Sequence, residues 1–204
     1  MNHDSTAPAC DRFDPGTLDY DQRYKFLTAS VVPRPIALVT SVGPSGVVNA
    51  APYSQFVIIA IDPPLLGIVV GQGPRGDKDT LVNIRERGDY VINTVPEPLA
   101  NQVQQCAIAY PPEVSEVEMA GLSLVPSVLV AAPRIRESRL QFECRLHRMV
   151  EFGTRISTLI VGEVVLVHAA PGILDGHRVN HAALEPLGRI GGRRYCRTGE
   201  LIET

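Results

Sequence analysis

The chain has 204 residues, 45% of them hydrophobic and 20% charged, a length and balance that suit one folded domain. Lys and Arg number 19 against 22 Asp and Glu, and no block of like charge marks a nucleic-acid or anionic-membrane surface. The longest apolar run, Phe56 to Ile61, stops at Asp62-Pro63-Pro64, far short of the ~20 residues a membrane helix needs.

Taken in chain order, residues 1–20 read as a flexible arm and residues 21–204 as the domain. Met1 to Asp14 is polar and carries no apolar leader segment, so the expected compartment is the cytoplasm. Ile36 to Val42 is a near-continuous apolar run, the pattern of a strand covered on both faces. Gly43-Pro44-Ser45-Gly46 predicts a turn, with Val47-Val48 starting the return strand. Phe56 to Ala60 and Leu65 to Val70 predict two further strands. Asp79 to Arg87 predicts a short helix stopped by Gly88, followed by a β-branched strand from Tyr90 to Val95. Leu99 to Ile108, set between prolines, predicts a second helix, and residues 109–133 carry no clear pattern. Leu140, Phe142, Cys144 and Leu146 alternate with Gln141, Glu143, Arg145 and His147, the mark of a half-buried antiparallel strand. Leu159 to Val167 is its expected neighbour, interrupted at Gly162-Glu163. Six or so strands joined mostly by turns favour an antiparallel barrel over a doubly wound sheet. Cys10, Cys106, Cys144 and Cys196 lack short spacings and read as free thiols. With no Trp and 5% aromatics, the core has to be aliphatic.

Lys78-Asp79-Thr80 opens the first predicted helix. Exposed N–H groups, a lysine charge and a threonine hydroxyl there suit a phosphate. Locally, the simpler reading is a helix capped by Asp79 or Thr80 beside a solvated Lys78. Gly71, Gly73 and Gly76 match the spacing of a dinucleotide fingerprint. Pro74 and Arg75 crowd that turn, Asp77 and Asp79 would oppose a pyrophosphate, and no further βαβ units follow, so the glycines read as a flexible loop. Cys144 and His147 fall on opposite strand faces, and His177 follows the Asp175-Gly176 turn, so helical spacing to His181 is not assured and no metal site is expected. No G-x-S-x-G elbow anchors a hydrolase triad.

The order of the motifs is more specific than any one of them. Val32-Pro33-Arg34-Pro35-Ile36-Ala37-Leu38-Val39-Thr40-Ser41, Gly46-Val47-Val48-Asn49-Ala50-Ala51-Pro52-Tyr53-Ser54-Gln55-Phe56 and Asp62-Pro63-Pro64 come first. Lys78-Asp79-Thr80 with Asn83-Ile84, Tyr90-Val91-Ile92-Asn93, Phe142-Glu143-Cys144 and Ile160-Val161-Gly162-Glu163-Val164 continue the series. Pro186-Leu187-Gly188-Arg189-Ile190-Gly191-Gly192 with Tyr195 ends it. Over about residues 20–196 the chain resembles the flavin reductase-like, FMN-binding split-barrel family, which includes flavoredoxin-like proteins and reductase components of two-component monooxygenases.

That resemblance implies a mainly β, antiparallel split barrel with a few short helices. It also implies a homodimer, with FMN (FAD being possible) held near the subunit interface and NAD(P)H as co-substrate. Asn49, Ala50, Ala51, Tyr53 and Ser54 are implied beside the ring and ribityl chain, Lys78, Asp79 and Thr80 at the phosphate, with Thr40 a further contact. Arg34 is implied at the phosphate or the pyrimidine edge, where a cation stabilises reduced flavin. No catalytic acid or base is implied, because the cofactor carries the chemistry. The implied activity is hydride transfer from NAD(P)H to flavin, supplying a partner oxygenase or other acceptor. Many members that reduce free flavin carry Gly-Asp-His just before the strand matching Leu159 to Val164; here Arg155, Ile156 and Ser157 stand there. The departure leaves open a flavoredoxin-like electron carrier, or a flavoenzyme acting directly on an organic substrate.

Overall fold

The computed structural model describes residues 11–200 and 202, so Cys10 and residues 1–10 of the expected arm lie outside the described residues. Helix α1 (Tyr20–Ser30) precedes strands β1 (Ala37–Val42), β2 (Val48–Tyr53), β3 (Phe56–Ala60) and β4 (Leu65–Gly71). Helix α2 (Asp79–Arg87), strand β5 (Asp89–Thr94) and helices α3 (Ala100–Gln105) and α4 (Glu116–Met119) follow. After the short strands β6 (Leu124–Val125) and β7 (Arg134–Ile135) come the long β8 (Leu140–Phe152) and β9 (Ser157–Ala169). The chain closes with β10 (Leu174–Asp175), β11 (Arg178–Val179), α5 (His181–Leu184), β12 (Leu187–Gly191) and β13 (Arg194–Arg197).

Seven strands form one antiparallel sheet in the order β2-β1-β5-β8-β9-β4-β3. β2 and β3 lie at opposite edges of that sheet, yet only Ser54 and Gln55 separate them in sequence. So short a link spans only about 10 Å. The sheet therefore has to curl until its two edges meet. The Gln55 carbonyl accepts the Val69 N–H at 3.0 Å, which extends the β3–β4 pairing into the link, and no ladder joins β2 to β3. The result is the expected antiparallel split barrel, and the seam is where the candidate site forms.

β1 is buried on both faces, as its unbroken apolar run requires. Ala37 and Val39 pack with Ile68, Tyr90 and Ile160 in one core. Leu38 packs with Val95, Leu99, Val103 and Ile135 in another. The Gly162 interruption of β9 has a packing reason: a Cβ there would lie 2.2 Å from the Tyr90 hydroxyl. α2 spans the predicted residues, and Gly88 ends it in the left-handed conformation at φ 76°.

Three features depart from the sequence expectation. α1 replaces featureless chain after the arm; Asp19 and Gln22 form a reciprocal capping box at 2.8 and 3.0 Å. Gln141 and Glu143, expected to face water, are buried because the chain between β6 and β7 covers that face of β8. Glu143 accepts the N–H groups of Val128 and Leu129 at 2.8 and 2.6 Å, while Asp89 accepts those of Ala131 and Ala132. The glycine-rich segment is a tight turn and not a loose loop, since Gly73 and Gly76 exchange backbone hydrogen bonds at 2.7 and 3.2 Å. Cys106, Cys144 and Cys196 are free thiols. Among the described residues, no helix is long and apolar enough to cross a membrane.

Candidate functional site

Two adjoining cavities open along the barrel seam. The first, about 370 Å³, lies between β2 and the N-terminus of α2. Lys78 is the N-cap residue of α2, in extended conformation, and no side chain caps the helix. Leu81 and Val82 N–H both turn back to the Lys78 carbonyl, which leaves the Asp79 and Thr80 N–H groups free at the helix end. Neither Asp79 nor Thr80 caps it, contrary to the simpler local reading. The Thr80 hydroxyl instead accepts from Asn49 Nδ2 at 2.8 Å, and Asp79 lies 3.9 Å from Arg75. Lys78 is exposed as a whole residue, yet its ammonium reaches over the Tyr53 ring, 5.7 Å from the centroid, where desolvation lowers its pKa.

Tyr53 is buried beside Thr80, and its hydroxyl has no hydrogen-bond partner. Burial outweighs the opposing pull of the adjacent Thr80 hydroxyl and, with Glu116 and Asp79 adding to it, pushes the phenol well above its ordinary pKa, so it stays a donor. On the facing wall, the Glu116 Oε2 accepts the Ala50 N–H at 3.0 Å. Burial chiefly raises the pKa of this carboxyl against that hydrogen bond, and Asp79 adds to the rise. Burial also pushes the neighbouring Cys106 thiol up to about 12, which makes it a poor nucleophile.

The second cavity, about 540 Å³, shares Pro52, Tyr53, Gln72, Lys78 and Ala107 with the first. α1 and the β12–β13 hairpin wall it off on the far side, with Arg34 and Ser54 between them. Arg34 and Arg189 exchange backbone hydrogen bonds at 3.0 and 2.8 Å. The Arg34 side chain donates to Ser54 Oγ at 3.2 Å and to the carbonyls of Val31 and Ile190 at 2.8 and 3.3 Å, and also to Thr28 O. It thereby ties the C-terminal end of α1 to the seam and the hairpin. Burial lowers its pKa, the Tyr24 phenol opposes that, and the Arg189 charge adds to the fall.

The structure thus brings Asn49, Ala51, Tyr53, Lys78, Asp79 and Thr80 together around the first cavity, and Arg34 and Ser54 with Tyr53 and Lys78 around the second. Ala50 lines neither cavity: its side chain is buried in the core and its N–H is taken by Glu116. Thr40 lines neither cavity. Its place on β1 puts it on the Leu38 side, where its hydroxyl donates to Pro133 O and receives Asn93 Nδ2. Glu116 and the α1 wall carried no sequence signal apart from the Asp19–Gln22 capping pair, and Arg189 stood in the sequence only as part of the Pro186–Gly192 motif.

These features define the chain as a split-barrel protein with a ligand cleft at its seam, suited to a flavin-linked oxidoreductase. A flavin reductase like domain matches residues 29–187, and the chain belongs to that family. It is similar to nitrilotriacetate monooxygenase component B from Bacillus cereus, at 34% identity and a TM-score of 0.93 over 97% of this chain and 100% of the other. It is also similar to Pseudomonas fluorescens 2-nitrobenzoate 2-nitroreductase, at 37% identity and a TM-score of 0.87 over 95% of each. An uncharacterized protein of Halalkalibacterium halodurans is 38% identical over 93% of both chains.

Proposed function

We propose that this protein binds FMN across the seam and transfers hydride from NAD(P)H to it, supplying a partner oxygenase or another acceptor. The observation that carries the reading is the first cavity: an uncapped helix terminus and a buried, unsatisfied Tyr53 hydroxyl meet in one space. A phosphate answers the first and a hydrogen-bonding ligand the second, so the residues present fit the cofactor. Lys78, Thr80 and the free N–H groups hold the phosphate; Asp79, turned toward Arg75, leaves that end open. Asn49, Ala51, Tyr53 and Ser54 would line the remainder of the ligand, with Ala50 behind them in the core. Arg34 lines the second cavity and not the one at the α2 terminus, so of its two implied roles this reading keeps the pyrimidine edge. Bound flavin supplies the two-electron chemistry, and the protein's part is to position the reactants and exclude water.

The working unit in this reading is a cytoplasmic homodimer. A second reading is a flavoenzyme acting directly on an organic acceptor. The adjoining, ligand-sized second cavity and the similarity to a 2-nitrobenzoate nitroreductase favour it. A carrier that keeps its flavin and is reduced by another protein is the remaining alternative.

The test is to purify the protein without added flavin, record its visible spectrum and titrate NADH and NADPH anaerobically. Bound flavin that bleaches promptly with one nucleotide supports the reductase and names its donor. Flavin that ignores both supports the carrier, unless turnover appears with an organic acceptor. Protein that neither carries nor takes up FMN or FAD overturns the flavin reading.

A further inference from the structure

Glu116 is an expensive residue to bury. It is 5% exposed, and among the described residues no Lys, Arg or His nitrogen pairs with it. Its carboxyl accepts the Ala50 N–H on the outer edge of β2, where Ser115 Oγ also donates to the Val48 carbonyl. Capping a strand edge explains a side-chain oxygen at this point. It does not explain a carboxyl, because an amide makes the same bond without the desolvation cost.

The cavity gives the carboxyl a use. At one end lie Lys78 and the free N–H groups of α2, and along the wall is the Tyr53 hydroxyl, all of them donors. Asn49 spends its amide N–H on Thr80, which leaves its oxygen as an acceptor. A ligand that carries a phosphate and a flat ring joined by a polyol brings hydroxyl protons into this cavity together with the phosphate. Those protons need acceptors, and Glu116 is the lining carboxylate that no arginine engages among the described residues.

Resting on the flavin reading above, we propose that Glu116 is a positioning residue that accepts the hydroxyls of the ligand's sugar-alcohol chain and so selects ribityl flavins over bare ring systems. The Ala50 bond holds one carboxyl oxygen still, so the other is presented to the ligand in a fixed place. Asp77 and Asp79 are the other carboxylates on the cavity. They sit on the α2 side, where Asp77 is engaged by Arg85 at 2.9 Å and Asp79 by Arg75 at 3.9 Å.

The experiment measures binding and not turnover: fluorescence titration of FMN, riboflavin and lumichrome into the wild type and Glu116→Gln. In the variant, the amide oxygen keeps the Ala50 bond while the NH2 faces the cavity and cannot accept. The expected result is a loss of about tenfold or more for riboflavin and FMN with lumichrome unchanged. An unchanged melting temperature shows that the strand-edge bond survives. Equal loss for all three ligands, or no loss for any, overturns the proposal. A wild type that binds none of the three overturns the flavin reading as well, which separates the two failures.

Discussion

Thr80 faces away from the role its position in α2 suggests, because Asn49 holds its hydroxyl at 2.8 Å. The helix end is therefore left without a side-chain cap, and in the proposed reading Lys78 is the cation beside it. Lys78→Ala should weaken FMN binding by about tenfold, the worth of one charge-assisted bond, and leave riboflavin binding unchanged. Paired titrations of the two flavins check this, and an equal loss for both would move Lys78 away from the phosphate. The residue types at 78–80 offered an anion site in the sequence beside the simpler reading of a capped helix. Whether the helix was already capped was not, since that depended on Asn49 in another strand. Glu116 was illegible for a related reason: its partner Ala50 lies 66 residues away.

Among the elements, β8 shows how burial overrides pattern. Its alternation was correct for Leu140 and Cys144, but the Gln141–Glu143 face is roofed by the segment that Glu143 itself holds. Burial alone would raise the Glu143 pKa. The Val128 and Leu129 N–H groups, with His168 at 2.6 Å, outweigh it and hold the carboxyl below its ordinary 4.5. A depressed pKa contributes stability above the unfolded value and loses it as pH falls through the folded one. Glu143→Gln should therefore cost about 2 kcal/mol at neutral pH, with the gap to wild type closing as the solution is acidified below that range. Urea unfolding of both proteins across pH reads this directly, and a gap that stays constant would show that the carboxylate charge does not hold the roof. The long range of these bonds is also why residues 109–133 gave no pattern, for their order comes from β5 and β8.

For the whole molecule, the seam concentrates what is unfinished. β3 is an edge strand whose Val57, Ile58 and Ile59 are 52%, 65% and 42% exposed, followed by Ile61 at 80%. An apolar, unpaired edge is a liability in a monomer and a natural place for a second copy. We expect the protein to sediment as a dimer, and Ile58→Asp to shift it toward monomer at micromolar concentration while the barrel stays folded by circular dichroism. A wild type that sediments as a monomer at all concentrations would remove the homodimer from the functional reading.

By itself, the sequence determined the strands of the main sheet, the bounds of α2, the free thiols at Cys106, Cys144 and Cys196, and the family. These follow from local periodicity, from turn residues such as Gly88, and from motifs in a fixed order. Tertiary structure alone decided that Thr40 turns into the core, that Arg34 anchors α1 at the second cavity, and that Glu116 enters the first. The reason is closure. Ser54 and Gln55 force the edges of a seven-stranded sheet together, and only then do residues far apart in the chain share a wall.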